Sequence, residues 1–314
     1  MAITVTDEQQ IGIFARLWIY QRERLPFGKT ATLLALFSAA SINVSAALAG
    51  VARPGLGAYL VAFICAFVFF AQLRACDEIK DGEEDARFRP ERPIPRGLVT
   101  IETIVGIGIA LVPLAALVAW LRAPVLLWPL ALVWLWMGLM TFEFFVPDWL
   151  KARPVAYLVS HMAIMPLIDL FVTACEWLPR AWTPPAGLWI FLALSFVNGC
   201  VIEIGRKIYA PSAEREGVET YSKAWGIERA LGVWATCLVA SAALLIAVGV
   251  KLGAGVPVTA VAAVALAAAL WTAHRFHAAR DTQAQKRIDL VAGLWVALCY
   301  GTAGLAPLLP GWLS

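Results

Sequence analysis

Charge is scarce in this chain. Asp, Glu, Lys and Arg make up 15% of its 314 residues, and 61% are hydrophobic. A typical soluble domain carries about 25% charged residues, so a water-soluble globular fold is excluded and a chain crossing a membrane several times is expected. The six cysteines (Cys65, Cys76, Cys175, Cys200, Cys237, Cys299) are scattered in apolar runs or at their ends. Their spacing fits neither a thiolate metal site nor a disulfide framework, so they read as packing residues. Met1 to Lys29 lacks a compact apolar core with a small-residue cleavage site, so no cleavable signal peptide is expected. Neither a soluble domain nor a low-complexity tail is visible, and a net charge of +3 gives no reason to expect a nucleic-acid partner.

What remains is organised by long apolar runs. Residues 1–29 interleave Ile11, Ile13, Phe14, Leu17, Trp18 and Ile19 with Arg16, Arg22 and Arg24, the pattern of an amphipathic helix lying in the membrane interface. Residues 30–314 then form one unit of nine runs of spanning length. These are Thr30–Gly50, Gly57–Asp77, Thr103–Leu121, Val125–Val146, Val155–Ala174, Ala186–Lys207, Ala230–Val250, Pro257–Ala273 and Leu290–Leu309. Two are short enough that tilt or flanking residues must complete them. Spans 7 and 8 are rich in Ala, Val and Gly, which favours close helix packing. With nine spans, every Lys and Arg except Arg53, Arg122, Arg180 and Lys251 falls on one side. That side should be the cytoplasm, with the N-terminus inside and the C-terminus outside. The two long loops, after spans 2 and 6, share it.

The densest chemistry follows span 2. Asp77, Asp81 and Asp85 recur every four residues, with Glu78, Glu83 and Glu84 beside them. On a helix continued out of the span, this spacing stacks three carboxylates on one face. Carboxylates so close repel one another unless a cation joins them. Hard oxygen ligands with open water positions suit Mg²⁺ that also holds phosphates; the alternative is a solvated charged loop. Arg87, Arg89, Arg92 and Arg96 follow, with Pro90, Pro93 and Pro95 stopping the helix.

The run Asp77-Glu-x-x-Asp81-x-x-x-Asp85, trailed by Arg92-Pro93-Ile94-Pro95-Arg96-Gly97, resembles the first motif of the UbiA superfamily of intramembrane prenyltransferases, Asn-Asp-x-x-Asp-x-x-x-Asp followed by Arg-Pro-[Leu/Ile]-Pro-x-Gly. Asp77 stands where that family has Asn, and Glu78 stands on its first Asp. After span 4, Phe145-x-Pro147-x-x-Leu150-Lys151-x-Arg153-Pro154 is similar to the family's Tyr-x-x-Pro-x-Leu-Lys-x-Arg-Pro. The resemblance covers essentially the whole chain. It implies an all-α membrane protein in which nine transmembrane helices surround a central cavity, with cap loops after helices 2 and 6, in a bacterial-type inner membrane.

The second motif departs from the family. An Asp-rich stretch is expected at the end of span 6, where this chain has Asn198, Glu203, Arg206 and Lys207, then Glu214, Glu216 and a Gly217-Val218-x-Thr220 tail that fits. Arg206 and Lys207 can hold diphosphate oxygens directly, Arg by paired hydrogen bonds and Lys as a point charge; the alternative is that they anchor the span end by snorkelling. Inside or beside the apolar runs lie Glu143, His161 and Asp169. His161 suits either acceptor orientation and proton transfer or hydrogen-bonded packing, and Asp169 suits a structural role.

The resemblance therefore implies a Mg²⁺-dependent prenyltransferase that joins a polyprenyl diphosphate to a small-molecule or lipid acceptor, often aromatic, among the lipids of the bilayer. Catalytic roles fall to Asp77, Asp81, Asp85 and Glu203. Metal ligation falls to these and Glu78. Substrate binding falls to Arg92, Lys151, Arg153, His161, Asn198, Arg206 and Lys207. The altered second motif leaves room for a terpene cyclase of the same family. A transporter is the reading from another class, but the acids gather at one face rather than along a path, and no inverted repeat is evident.

Overall fold

The structure is a computed structural model that describes residues 11–308. Nine helices among these residues are long and apolar enough to cross a membrane: Phe27–Leu48, Leu56–Lys80, Ile101–Arg122, Pro124–Thr141, Pro154–Trp177, Leu188–Arg206, Ile227–Lys251, Gly255–Ala279 and Thr282–Leu308. We call them spans 1 to 9. All nine sequence-derived spans are present, and their ends differ where polar residues continue a helix that hydrophobicity alone would stop. Span 9 begins at Thr282 rather than Leu290, because Asp281 caps it by accepting a hydrogen bond from the Ala284 N–H at 2.7 Å. Its first two turns are mostly polar, with Ala284 and Ile288 buried. The C-terminal end expected at Leu309 lies outside the described residues.

Span 4 stops early, at Thr141 rather than Val146. Three consecutive residues, Glu143, Phe144 and Phe145, take left-handed φ values of 49°, 52° and 61°, which reverses the chain into a short helix at Pro147–Lys151. Left-handed backbone costs an L residue roughly 1–2 kcal/mol. The turn is therefore held by its surroundings, in which Glu143 is buried.

Span 9 returns to pack on span 1, so spans 1, 2, 5, 6, 7, 8 and 9 close a ring, with span 3 outside span 2 and span 4 against spans 2 and 5. Spans 3 and 8 are the least buried, as expected of helices facing lipid. Close approaches rest on small residues. A Cβ on Gly304 would lie 2.4 Å from the Ala40 Cα, and one on Gly249 would lie 2.7 Å from the Val258 side chain, so the close fit foreseen for spans 7 and 8 is present.

The interface helix, Ile13–Arg24, docks one face on the protein through Tyr20, Leu17 and Ile19 against Ala75, Leu98, Val99 and Ile104, while Phe14 and Trp18 point outward. The loops after spans 2 and 6 interlock on the same end of the ring. Arg215 pairs with Glu91 at 2.8 Å, and the Phe88 ring lies on Gly217, where an added Cβ would come within 2.1 Å of it. Gly217 also has φ +70°. Both facts explain why glycine opens the Gly217-Val218-x-Thr220 tail.

Candidate active site

The helical register runs through the first motif. Asp81 N–H donates to Asp77 C=O at 2.9 Å and Asp85 N–H to Asp81 C=O at 2.7 Å, so the three aspartates do share a face. Their surroundings separate them. Asp85 is buried and bound by Arg92 and by Arg89 at 3.3 Å. Glu78 is buried and meets Arg24 Nε at 2.7 Å, Arg74 at 3.4 Å and the Tyr20 hydroxyl at 3.2 Å. Arg24 also reaches Asp85 at 3.9 Å. Burial opposes the charge on Arg24, while the hydrogen bond and charge of Glu78 hold its pKa above the usual value. Asp77 is half-open, with Arg74 at 3.2 Å. Burial pushes the Asp81 carboxyl above the usual carboxylate range, and the like charges of Asp77 and Asp85 push it further.

The second motif supplies cations. Glu203, buried on the last turn of span 6, binds Arg206 Nε at 2.7 Å and Lys207 Nζ at 3.0 Å. Glu214 serves the loop instead, accepting from Thr220 and Ser222. Thr220 in turn caps the short helix Tyr221–Trp225.

Between the two motifs a cavity of about 380 Å³ enters the ring. Arg24, Arg74, Asp77, Glu203 and Arg206 stand at its charged end, and Leu34, Phe37, Phe70, Met162, Met165 and Val296 form its apolar walls. Ser195, Asn198 and Tyr300 lie among the polar groups of its wall. A second cavity, of about 400 Å³, adjoins on the charged face and is lined by Lys151, Tyr157, Lys207 and Tyr221.

Glu78, Asp81, Asp85, Arg92, Arg153 and His161, all expected at the site, lie outside these walls. Arg153 stacks its guanidinium over the Trp149 ring at 4.5 Å. His161 belongs to a cluster with Lys80, Glu143 and Tyr157. Its Nδ1 lies 2.9 Å from the Tyr157 carbonyl, so that nitrogen carries the proton, and Nε2 accepts from Lys80 Nζ at 2.9 Å. Lys80 also holds the Tyr157 hydroxyl at 2.7 Å and Glu143 at 2.8 Å. Asp169 is fully buried and accepts from Ser41 at 2.6 Å and Tyr300 at 2.9 Å, tying spans 1, 5 and 9 together. Sequence reasoning missed Arg24, Lys80, Tyr157 and Tyr300. Lys80 stands inside the acidic motif, and this was the one available signal.

Among the described residues no three Asp, Glu, His or Cys side chains form a metal-holding group. Mg²⁺ usually takes only one or two carboxylates and completes its shell with water and phosphate. Asp77, half-open at the cavity's charged end, and Asp81, one helical turn beyond it, would be the carboxylates to hold one such ion. Glu203 does not fit a second, because Arg206 and Lys207 already neutralise it.

A ring of membrane-crossing helices around an apolar cavity with a charged end defines an integral membrane protein with an internal site. The chain belongs to the UbiA prenyltransferase family, whose profile matches residues 34–297. Its fold is similar to that of a digeranylgeranylglyceryl phosphate synthase, with TM-score 0.62 and 13% identity over 94% of this chain and 100% of the other. It is also similar to the apo structure of a UbiA homolog from Aeropyrum pernix K1, with TM-score 0.66 and 15% identity over 88% of this chain and 98% of the other. Identities this low carry the fold alone. No curated protein matches the chain.

Proposed function

We propose that this protein transfers a prenyl group from a polyprenyl diphosphate to an acceptor and releases diphosphate. One observation carries the reading: a single cavity joins apolar walls to an end where Asp77 of span 2 faces Glu203 and Arg206 of span 6. An isoprenoid chain matches the walls, and a diphosphate matches Arg206 and Lys207. Asp77 and Asp81 would hold Mg²⁺, which when bound offsets charge building on the leaving group. Arg206 and Lys207 act on the same charge as fixed cations. The allylic C–O bond breaks, its electron pair leaves with the diphosphate, and the acceptor attacks the resulting carbocation and then loses a proton. Leu34, Phe37, Phe70, Met162 and Met165 keep water from the cation. Lys151 and Lys207 across the adjoining cavity suit phosphate oxygens. By the distribution of basic residues the charged end opens to the cytoplasm.

The test is diphosphate release by the purified protein with geranyl, farnesyl, geranylgeranyl and longer diphosphates, with membrane extract supplying acceptors. Release that requires Mg²⁺ and is lost in Asp81→Ala is expected. No release with any donor would overturn the reading.

A further inference from the structure

Glu203 is the one carboxylate of span 6, and both of its oxygens are taken. Oε2 accepts from Arg206, whose Nε lies at 2.7 Å, and Oε1 accepts from Lys207 Nζ at 3.0 Å. The closure is built into the sequence, because residues three and four positions apart share a helix face. Asp77 on span 2 is placed differently. Its side chain is 43% exposed against 7% for Glu203, and one oxygen meets Arg74 at 3.2 Å. A metal ion at Glu203 would have to displace two cations and then sit beside them, so like charges oppose it.

The same triplet suits an anion. A guanidinium has five N–H donors and an ammonium three, so Glu203 uses some and leaves others. Both cations are part-exposed. Arg206 lines the first cavity and Lys207 the second, with Glu203 joining them. Lys207 Nζ also stands 6.0 Å from the rings of both Tyr157 and Tyr221, at the outer limit of cation–π attraction. We propose that Arg206 and Lys207 take the place of a metal ion. The span 6 half of the site is metal-free, and the donor's diphosphate is held by one divalent ion on span 2 and by these two fixed cations. The inference rests on the transferase reading. It makes Glu203 a positioning residue for Arg206 and Lys207 rather than a ligand, and it leaves the diphosphate part of its affinity when no metal is present.

The probe is Mn²⁺, whose free-ion EPR signal is lost on binding. The full-length protein in detergent is titrated with and without farnesyl thiodiphosphate, a donor analogue whose C–S bond ionises slowly. Wild type is expected to bind one analogue-dependent Mn²⁺ per chain. Glu203→Gln should bind one as well, and Asp77→Asn/Asp81→Asn none. Two ions or none in wild type, none in Glu203→Gln, or one in the double variant overturns the inference. The wild-type count decides by itself if a variant fails to fold. With EDTA present, wild type should still bind the analogue, and Arg206→Ala/Lys207→Ala should raise its Kd about tenfold or more, the worth of a charge-assisted hydrogen bond. An equal Kd in both proteins would also overturn it. Diphosphate release from farnesyl diphosphate is scored separately. Two ions with release would sink the inference and leave the transferase reading standing, and one ion without release would do the reverse.

Discussion

Arg24 joins the interface helix to the acidic motif, and removing it should loosen that helix by a calculable amount. Its side chain is 11% exposed and its Nε sits 2.7 Å from a Glu78 carboxylate that is 4% exposed. Orphaning one partner of a buried ion pair costs about 3–5 kcal/mol. Arg74 remains 3.4 Å from Glu78, and Arg89 and Arg92 remain on Asp85, so the low end, about 3 kcal/mol, applies to Arg24→Met. The methionine keeps the apolar stem. The bidentate Glu23–Arg96 pair, two hydrogen bonds of 2.8 Å, is unchanged in the variant. Hydrogen exchange over Ile13–Leu25 in detergent would read the change as roughly a hundredfold loss of protection. Exchange slowed or unchanged to within about threefold, equivalent to under about 0.7 kcal/mol, would refute the anchoring role.

Other consequences follow from the same geometry. Phe145 has φ 61° and is exposed, so Phe145→Gly should exceed Phe145→Ala in unfolding stability by about 1 kcal/mol, since both lose the ring but only glycine relieves the backbone. The Asp81 pKa is raised in the fold, so the folded state binds more protons than the unfolded one between the unfolded and folded pKa values. This group's contribution therefore grows as pH falls from neutrality through the folded value, and it disappears in Asp81→Asn. A melting-temperature profile against pH would show the flattened slope. The same variant should lose the thermal shift that Mg²⁺ gives the wild type. Arg206→Ala should weaken binding of prenyl diphosphate by roughly ten- to a hundredfold, the range of a charge-assisted hydrogen bond, with a smaller change for Arg206→Lys. Equal affinity in all three proteins would mean that Arg206 only anchors its span.

The spans and the face shared by Asp77, Asp81 and Asp85 were legible because both depend on helical period and length, which are local. Span ends were less so: Thr282 to Asp289 is polar yet helical, and the left-handed turn at Glu143–Phe145 contains no glycine or asparagine to announce it. The long-range pairings could not be read at all. Glu78 belongs to the acidic motif by sequence, yet Arg24, counted only as an interface residue, takes its carboxylate. Asn198 is bonded by Ser241, which Trp295 bonds in turn, and both lie on other spans. The substitution of cations for acids in the second motif was visible as Arg206 and Lys207, but their closure around Glu203 required the fold.

The most direct test of the central claim, a hydrocarbon chain in the cavity with its diphosphate at the charged end, is photo-crosslinking with a farnesyl diphosphate analogue bearing a diazirine on its terminal isoprene unit. Peptide mapping should find the label on cavity residues such as Phe37, Met165 or Val296, displaced by unlabelled farnesyl diphosphate and reduced in Arg206→Ala. Label confined to lipid-facing residues of spans 3 and 8, or insensitive to competitor, would contradict the account.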